Sequence, residues 1–120
     1  MMQLEVDLSV LPNGWTLVEP VGEIDVYTAP RLRETLIEAF ANGIRHVALS
    51  LERVEFIDST GLGVILGGLE RAKRARGDLH VVCDKERFLR LLRVTGLDKT
   101  FVVHPSVEAL TDDQQAVAAK

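Results

Sequence analysis

Disulfides, membrane-spanning runs and surplus positive charge are all missing from this chain, and each absence narrows what it can be. A lone cysteine, Cys83, leaves no internal disulfide to form. The longest apolar run that tolerates glycine, Gly61 to Leu69, falls far short of the roughly 20 residues that a membrane-spanning helix needs, so no segment is expected to cross a bilayer. The start, MMQLEVDL, lacks the basic-then-apolar pattern of a secretory signal, which makes a cytoplasmic location the expectation. Lys and Arg number 14 against 18 Asp and Glu, a formal charge of -4 that argues against generic binding to nucleic acid or anionic membranes. A protein partner or a small ligand fits better.

Catalytic signatures are missing as well. The nucleophile elbow G-x-S-x-G fails because Ile57, not glycine, stands two residues before Ser59. An aspartic-protease triplet fails because Ser59 and Thr60 both separate Asp58 from Gly61. The dinucleotide fingerprint fails when counted from Gly61, which puts Leu66 where glycine is required, and no Gly-Lys-Ser/Thr of a phosphate-binding loop occurs. His46, His80 and His104 lie on separate predicted strands or their ends, without metal-ligand spacing among them or with Cys83. Structural roles are expected for all three, and an inert core thiol for Cys83.

What is present is a regular alternation. With 120 residues and 47% hydrophobic content the chain suits one domain, 1–120, that builds its own core, with residues 112–120 expected as a fraying end. Leu4, Val6, Leu8 and Val10 alternate with polar residues, Asn13-Gly14 marks a tight turn, and Trp15 to Val18 resumes the pattern, which predicts an opening β-hairpin. After Val21 to Asp25, Thr28 is placed to cap a helix with Pro30 in its first turn, apolar along Leu32, Leu36, Ile37 and Phe40 and ending at Asn42-Gly43. Arg45–Leu51 reads as a buried strand, Thr60–Ala75 as a helix closed by Gly77, Leu79–Cys83 as a strand, and Lys85–Arg93 as a helix stopped by Gly96. Thr100–Val103 completes the strands, and Ser106 caps a last helix through about Leu110. The predicted class is α/β: a mixed central sheet, parallel in its middle, with an N-terminal hairpin and about four packed helices.

The stretch FIDSTGLG, residues 56–63, places an acid and two hydroxyls at a strand-to-helix junction. Free N-H groups and the helix dipole favour an anion there, while Asp58 or Ser59 serving simply as the N-cap is an equally good physical account of one polar residue. Gly61, Gly63, Gly67 and Gly68 would cost on the order of 3 to 4 kcal/mol relative to alanine in a helix interior. Two explanations stand: the glycines pack tightly against neighbouring elements, or Gly63 and Gly67 form a bare stripe beside Ser59 for a partner's backbone. Leu62, Ile65, Leu66 and Leu69 make the buried side.

Taken together, VGEID (21–25), FIDSTGLGVIL (56–66), the VVCD segment (81–84) and RVTGL (93–97) resemble the bacterial anti-anti-sigma factors, the stand-alone STAS-domain proteins, over nearly the whole chain. The resemblance implies a STAS fold and a regulatory, non-enzymatic role without cofactor or metal. It implies that the serine matching Ser59 is phosphorylated by the anti-sigma factor, itself an ATP-using serine kinase, that the unphosphorylated form binds this kinase and frees the sigma factor, and that a phosphatase resets the switch. Carried over in this way, Ser59 is the acceptor, Thr60 a competing one, and Asp25 and Asp58 are acidic neighbours placed to orient the hydroxyl or assist its deprotonation. Gly61, Gly63 and Gly67 leave room for the kinase beside Ser59 and Thr60. A monomer is expected. The alternatives are a STAS subunit of another assembly, in stress signalling or lipid transport, or a small nucleotide-binding protein.

Overall fold

The computed structural model describes residues 4–113, so the expected fraying end lies almost wholly outside the described residues. Strands β1 (Glu5–Val10) and β2 (Thr16–Ile24) form the antiparallel opening hairpin, with Val10 opposite Thr16. Its turn is wider than a two-residue Asn-Gly loop: Leu11 N-H donates to Trp15 C=O, Gly14 N-H donates to Leu11 C=O, and only Gly14 takes a positive φ, 90°. Asn13 Oδ1 instead accepts the Trp15 N-H at 3.1 Å.

Helix α1 (Ala29–Ala41) leads to β3 (His46–Ser50), β4 (Val54–Ile57), α2 (Ser59–Arg74), β5 (Asp78–Val82), α3 (Glu86–Val94), a single 3-10 turn (Leu97–Lys99), β6 (Val103–His104) and α4 (Val107–Asp112). The sheet order is β1-β2-β3-β5-β6, parallel from β2 onward, as the alternation of elements predicts. Strand β4 is the addition. Residues 16–18 of β2 pair with β3, then Gly22, at φ 115°, bends the strand with a register shift, and Gly22 to Ile24 pair in parallel with β4. Side chains also hold β4: Lys85 Nζ donates to Val54 C=O at 2.7 Å and Arg87 to Glu55 C=O at 2.8 Å.

Helix C-terminal ends follow the predicted logic with one correction. The end of α1 is a glycine cap, with Gly43 at φ 94° and Ile44 N-H donating to Ala39 C=O. At the end of α2 the same hydrogen-bond pattern forms, but Arg76 takes the left-handed conformation at φ 62°, and Gly77 is required for a different reason. A Cβ on Gly77 would stand 1.7 Å from the Arg45 carbonyl oxygen. The last strand is also shorter and later than the predicted 100–103, because the 3-10 turn runs to Lys99 and the chain then buries Phe101 before pairing begins at Val103.

One face of the sheet carries the main core: Val18, Val47, Leu49, Leu79 and Val81 pack with Leu32 and Leu36 of α1, Leu62, Ile65 and Leu69 of α2, and Phe88 and Leu92 of α3. The other face has a smaller core, where Leu110 of α4 meets Trp15, Leu17, Ala48 and Val82. Leu66, assigned by periodicity to the buried side of α2, is only partly buried.

Candidate functional site

Parallel strands β2 and β4 end side by side, with Ile24 opposite Ile57 and the Asp58 N-H donating to the Ile24 carbonyl at 3.2 Å. The next residue on each chain is an aspartate, so Asp25 and Asp58 leave the sheet together at the carboxyl ends of the two strands, each just before a helix. In such sheets this is where ligands and partners find exposed polar groups.

Asp58 is the N-cap of α2. Its backbone is extended (φ -108°, ψ -173°) and its Oδ1 accepts the Gly61 N-H at 3.0 Å, satisfying one of the orphan donors of the first turn. The choice between Asp58 and Ser59 as the cap is therefore settled in favour of Asp58. Ser59 and Thr60 become the first two helical residues, both exposed, and neither hydroxyl hydrogen-bonds to another described residue. No base is paired with either oxygen, so the corner holds no assembled nucleophile-base pair.

Asp25 is committed elsewhere. Its Oδ1 accepts the N-H groups of Tyr27 at 2.9 Å and Thr28 at 3.0 Å, closing the turn that leads into α1. Thr28 does not cap α1 with its side chain: Oγ1 accepts the Asp25 N-H at 2.9 Å and donates to Glu23 C=O at 2.7 Å, turned back toward β2. Beside this turn Val26, Tyr27 and Phe56 are exposed apolar side chains.

The glycines of α2 divide into two kinds. A Cβ on Gly61 would come within 2.7 Å of both Ile24 and Ile57, and one on Gly68 within 2.8 Å of Leu36, so these two are packing glycines. This corrects the expectation for Gly61, which is buried under the corner and offers no room at the surface. Gly63 is exposed and Gly67 half-buried, and a Cβ on either would meet nothing within 4 Å.

Sequence spacing missed a second constellation, on the opposite face of the sheet. Register places Ala48 beside His80 and Val82 beside His104, which brings the histidines together. His80 Nδ1 lies 3.0 Å from His104 Nε2, and His80 Nε2 lies 3.2 Å from Asp78 Oδ2. A carboxylate accepts, so the neutral tautomer of His80 that fits both contacts has its proton on Nε2 and accepts at Nδ1 from the His104 Nε2-H. Trp15 packs on this row, its ring centroid 4.6 Å from that of His80 and 5.1 Å from that of His46. Burial holds His46 and His104 below the usual imidazole range. Burial likewise pushes the Cys83 thiol up, away from the reactive thiolate. Among the described residues no group of three or more His, Cys, Asp or Glu side chains is arranged to hold a metal ion, and no helix is long and apolar enough to cross a membrane.

Fold and corner together define an α/β domain that displays an uncommitted serine hydroxyl on the first turn of a helix, one residue beyond its cap. The chain belongs to the STAS domain family, whose model matches residues 4–110. It is 40% identical over 96 residues to an anti-sigma-B factor antagonist of Bacillus subtilis, covering 80% of this chain and 86% of that one. It is 37% identical over 87 residues to an anti-sigma-B factor antagonist of Staphylococcus aureus, covering 72% and 81%. Among solved structures it is similar to an anti-sigma factor antagonist from Mycobacterium paratuberculosis, with a TM-score of 0.79 at 30% identity over 90% of this chain and 92% of that one.

Proposed function

We propose that this chain is an anti-sigma factor antagonist: unphosphorylated, it binds an anti-sigma factor serine kinase and releases the sigma factor, and phosphorylation of Ser59 ends that binding. The observation that carries the reading is the exposed Ser59 Oγ, free of any hydrogen bond to another described residue and seated just past the Asp58 cap. The Bacillus and Staphylococcus relatives, both anti-sigma-B factor antagonists, support it. The chain acts in this reading as the substrate of its partner and a regulator of it, not as an enzyme, and a phosphatase restores the binding form. Thr60, also exposed one residue on, is the competing acceptor.

Phosphate at this position suits the fold. It adds about -1.5 to -2 charges on the first turn of α2, where the helix dipole and unpaired N-H groups favour an anion, so nothing needs to unfold. Its effect is on the partner. A partner carboxylate about 5 Å away would be repelled by roughly 3 kcal/mol per added charge at an effective dielectric of about 20, enough for about a hundredfold loss of affinity. Asp58, beside Ser59, adds to the same negative field. Asp25 shares the edge of the site, although its carboxylate is already occupied by two backbone N-H groups. Calorimetric titration of the purified kinase tests the switch: Ser59→Asp should weaken the complex by about a hundredfold with an unchanged circular dichroism spectrum. Equal affinity for wild type and variant would overturn the charge mechanism.

A further inference from the structure

A groove of about 320 Å³ runs between α1 and α2, starting beside Thr60. Leu36, Gly63 and Gly67 line it together with Arg33, Arg71 and Arg74, against one carboxylate, Glu70. None of these arginines is ion-paired with another described residue; the arginine pairs of the described chain are Arg53 with Asp7 and Arg93 with Glu86. A chain of formal charge -4 therefore reverses its sign in one concave place. The open glycines fit the same picture. Alanine at Gly63 or Gly67 would meet no neighbour and would favour the helix by about 1 kcal/mol each, so internal packing gives no reason for glycine at either position.

We propose that this groove receives an extended acidic segment of the protein partner that acts on Ser59, its carboxylates held by Arg33, Arg71 and Arg74. The inference rests on the functional reading above. Guanidinium forks match carboxylates with paired hydrogen bonds, and glycine lets a second backbone approach the helix closely. A long polyanion such as nucleic acid fits less well, because Asp58, Glu70 and the overall negative charge would face its continuing phosphates. The placement also gives the switch its direction. Phosphate on Ser59 would stand at the Thr60 end of the groove, repelling the acidic segment there.

Amide chemical shifts of the isotope-labelled full chain, titrated with a hexapeptide of alternating glutamate and glycine, test this. The expected result is millimolar binding with shifts concentrated at Gly63, Gly67, Arg71 and Arg74, none with the lysine counterpart, and at least about tenfold weakening by Arg71→Glu with Arg74→Glu. Arg33→Glu, on the other wall, should weaken binding in the same direction and guards against a folding defect in the α2 variant. Absent or scattered shifts, identical shifts with inorganic phosphate, tighter binding of decathymidylate, or indifference to the charge reversals would each overturn the proposal. The two readings fail separately: Ser59 phosphorylated without peptide binding removes the groove alone, and peptide binding without phosphate on Ser59 supports the groove while removing the acceptor.

Discussion

Two neighbouring corners of this molecule are built from the same polar vocabulary and put it to opposite uses. At the β2-to-α1 corner an aspartate and a threonine consume one another: Asp25 holds the Tyr27 and Thr28 N-H groups, and Thr28 Oγ1 both accepts from Asp25 and donates to Glu23. At the β4-to-α2 corner the aspartate caps the helix by itself, and the two hydroxyls that follow are left over. One corner spends its hydroxyl on the fold, and the other keeps its hydroxyls available. Residue type alone therefore does not say which hydroxyls are free; the hydrogen-bond account of each one does.

The largest expected effect breaks both corners at once. Gly61 lies under them, its missing Cβ within 2.7 Å of Ile24 and Ile57, the residues that precede the two aspartates. Gly61→Val should destabilise the protein by about 2 to 3 kcal/mol in urea unfolding, whereas Gly63→Val, in open space, should leave stability unchanged or raise it by less than about 1 kcal/mol. A smaller effect sharpens the contrast between the hydroxyls. Thr28→Val should cost about 1 to 2 kcal/mol by stranding the Asp25 N-H and Glu23 C=O, while Ser59→Ala should stay within about 0.5 kcal/mol of wild type.

The smallest effect separates both corners from the opposite sheet face. His46 and His104 are held neutral by burial. Because their folded values lie below the unfolded one, the unfolded chain binds the extra protons, so their contribution is fully present above about pH 6.5 and is lost as the pH falls through the lowered folded values. Thermal unfolding followed between pH 8 and 5 should show the midpoint falling on the acid side, and His104→Gln should reduce that fall. Trp15, packed on His80 and His46, reports the same face by fluorescence.

Much of this architecture is legible in the sequence because its signals are local. The alternation of Leu4 to Val10, the Ser106 cap and the glycine ends of α1 and α3 each act within a turn or two of their own position. What escapes is non-local. Strand β4 has four residues, only Val54 and Ile57 of them buried, and its pairing depends on Gly22 bending a strand more than 30 residues earlier. The histidine row exists only through the register of β3, β5 and β6, and spacing along the chain carries no trace of it. At the candidate site, elementary physics leads as far as an anion-tolerant helix start and an undecided cap. The structure assigns the cap to Asp58 and divides the four α2 glycines into packing and open ones, while the role of Ser59 comes from the family resemblance and remains the claim to test.

That test is phosphopeptide mapping by mass spectrometry after incubation of the protein with the proposed anti-sigma factor kinase and ATP, in wild type, Ser59→Ala and Thr60→Ala. One phosphate, on Ser59, is expected in wild type and in Thr60→Ala, none in Ser59→Ala, and none on the internally bonded Thr28 in any of them. Phosphate that persists in Ser59→Ala would contradict that expectation.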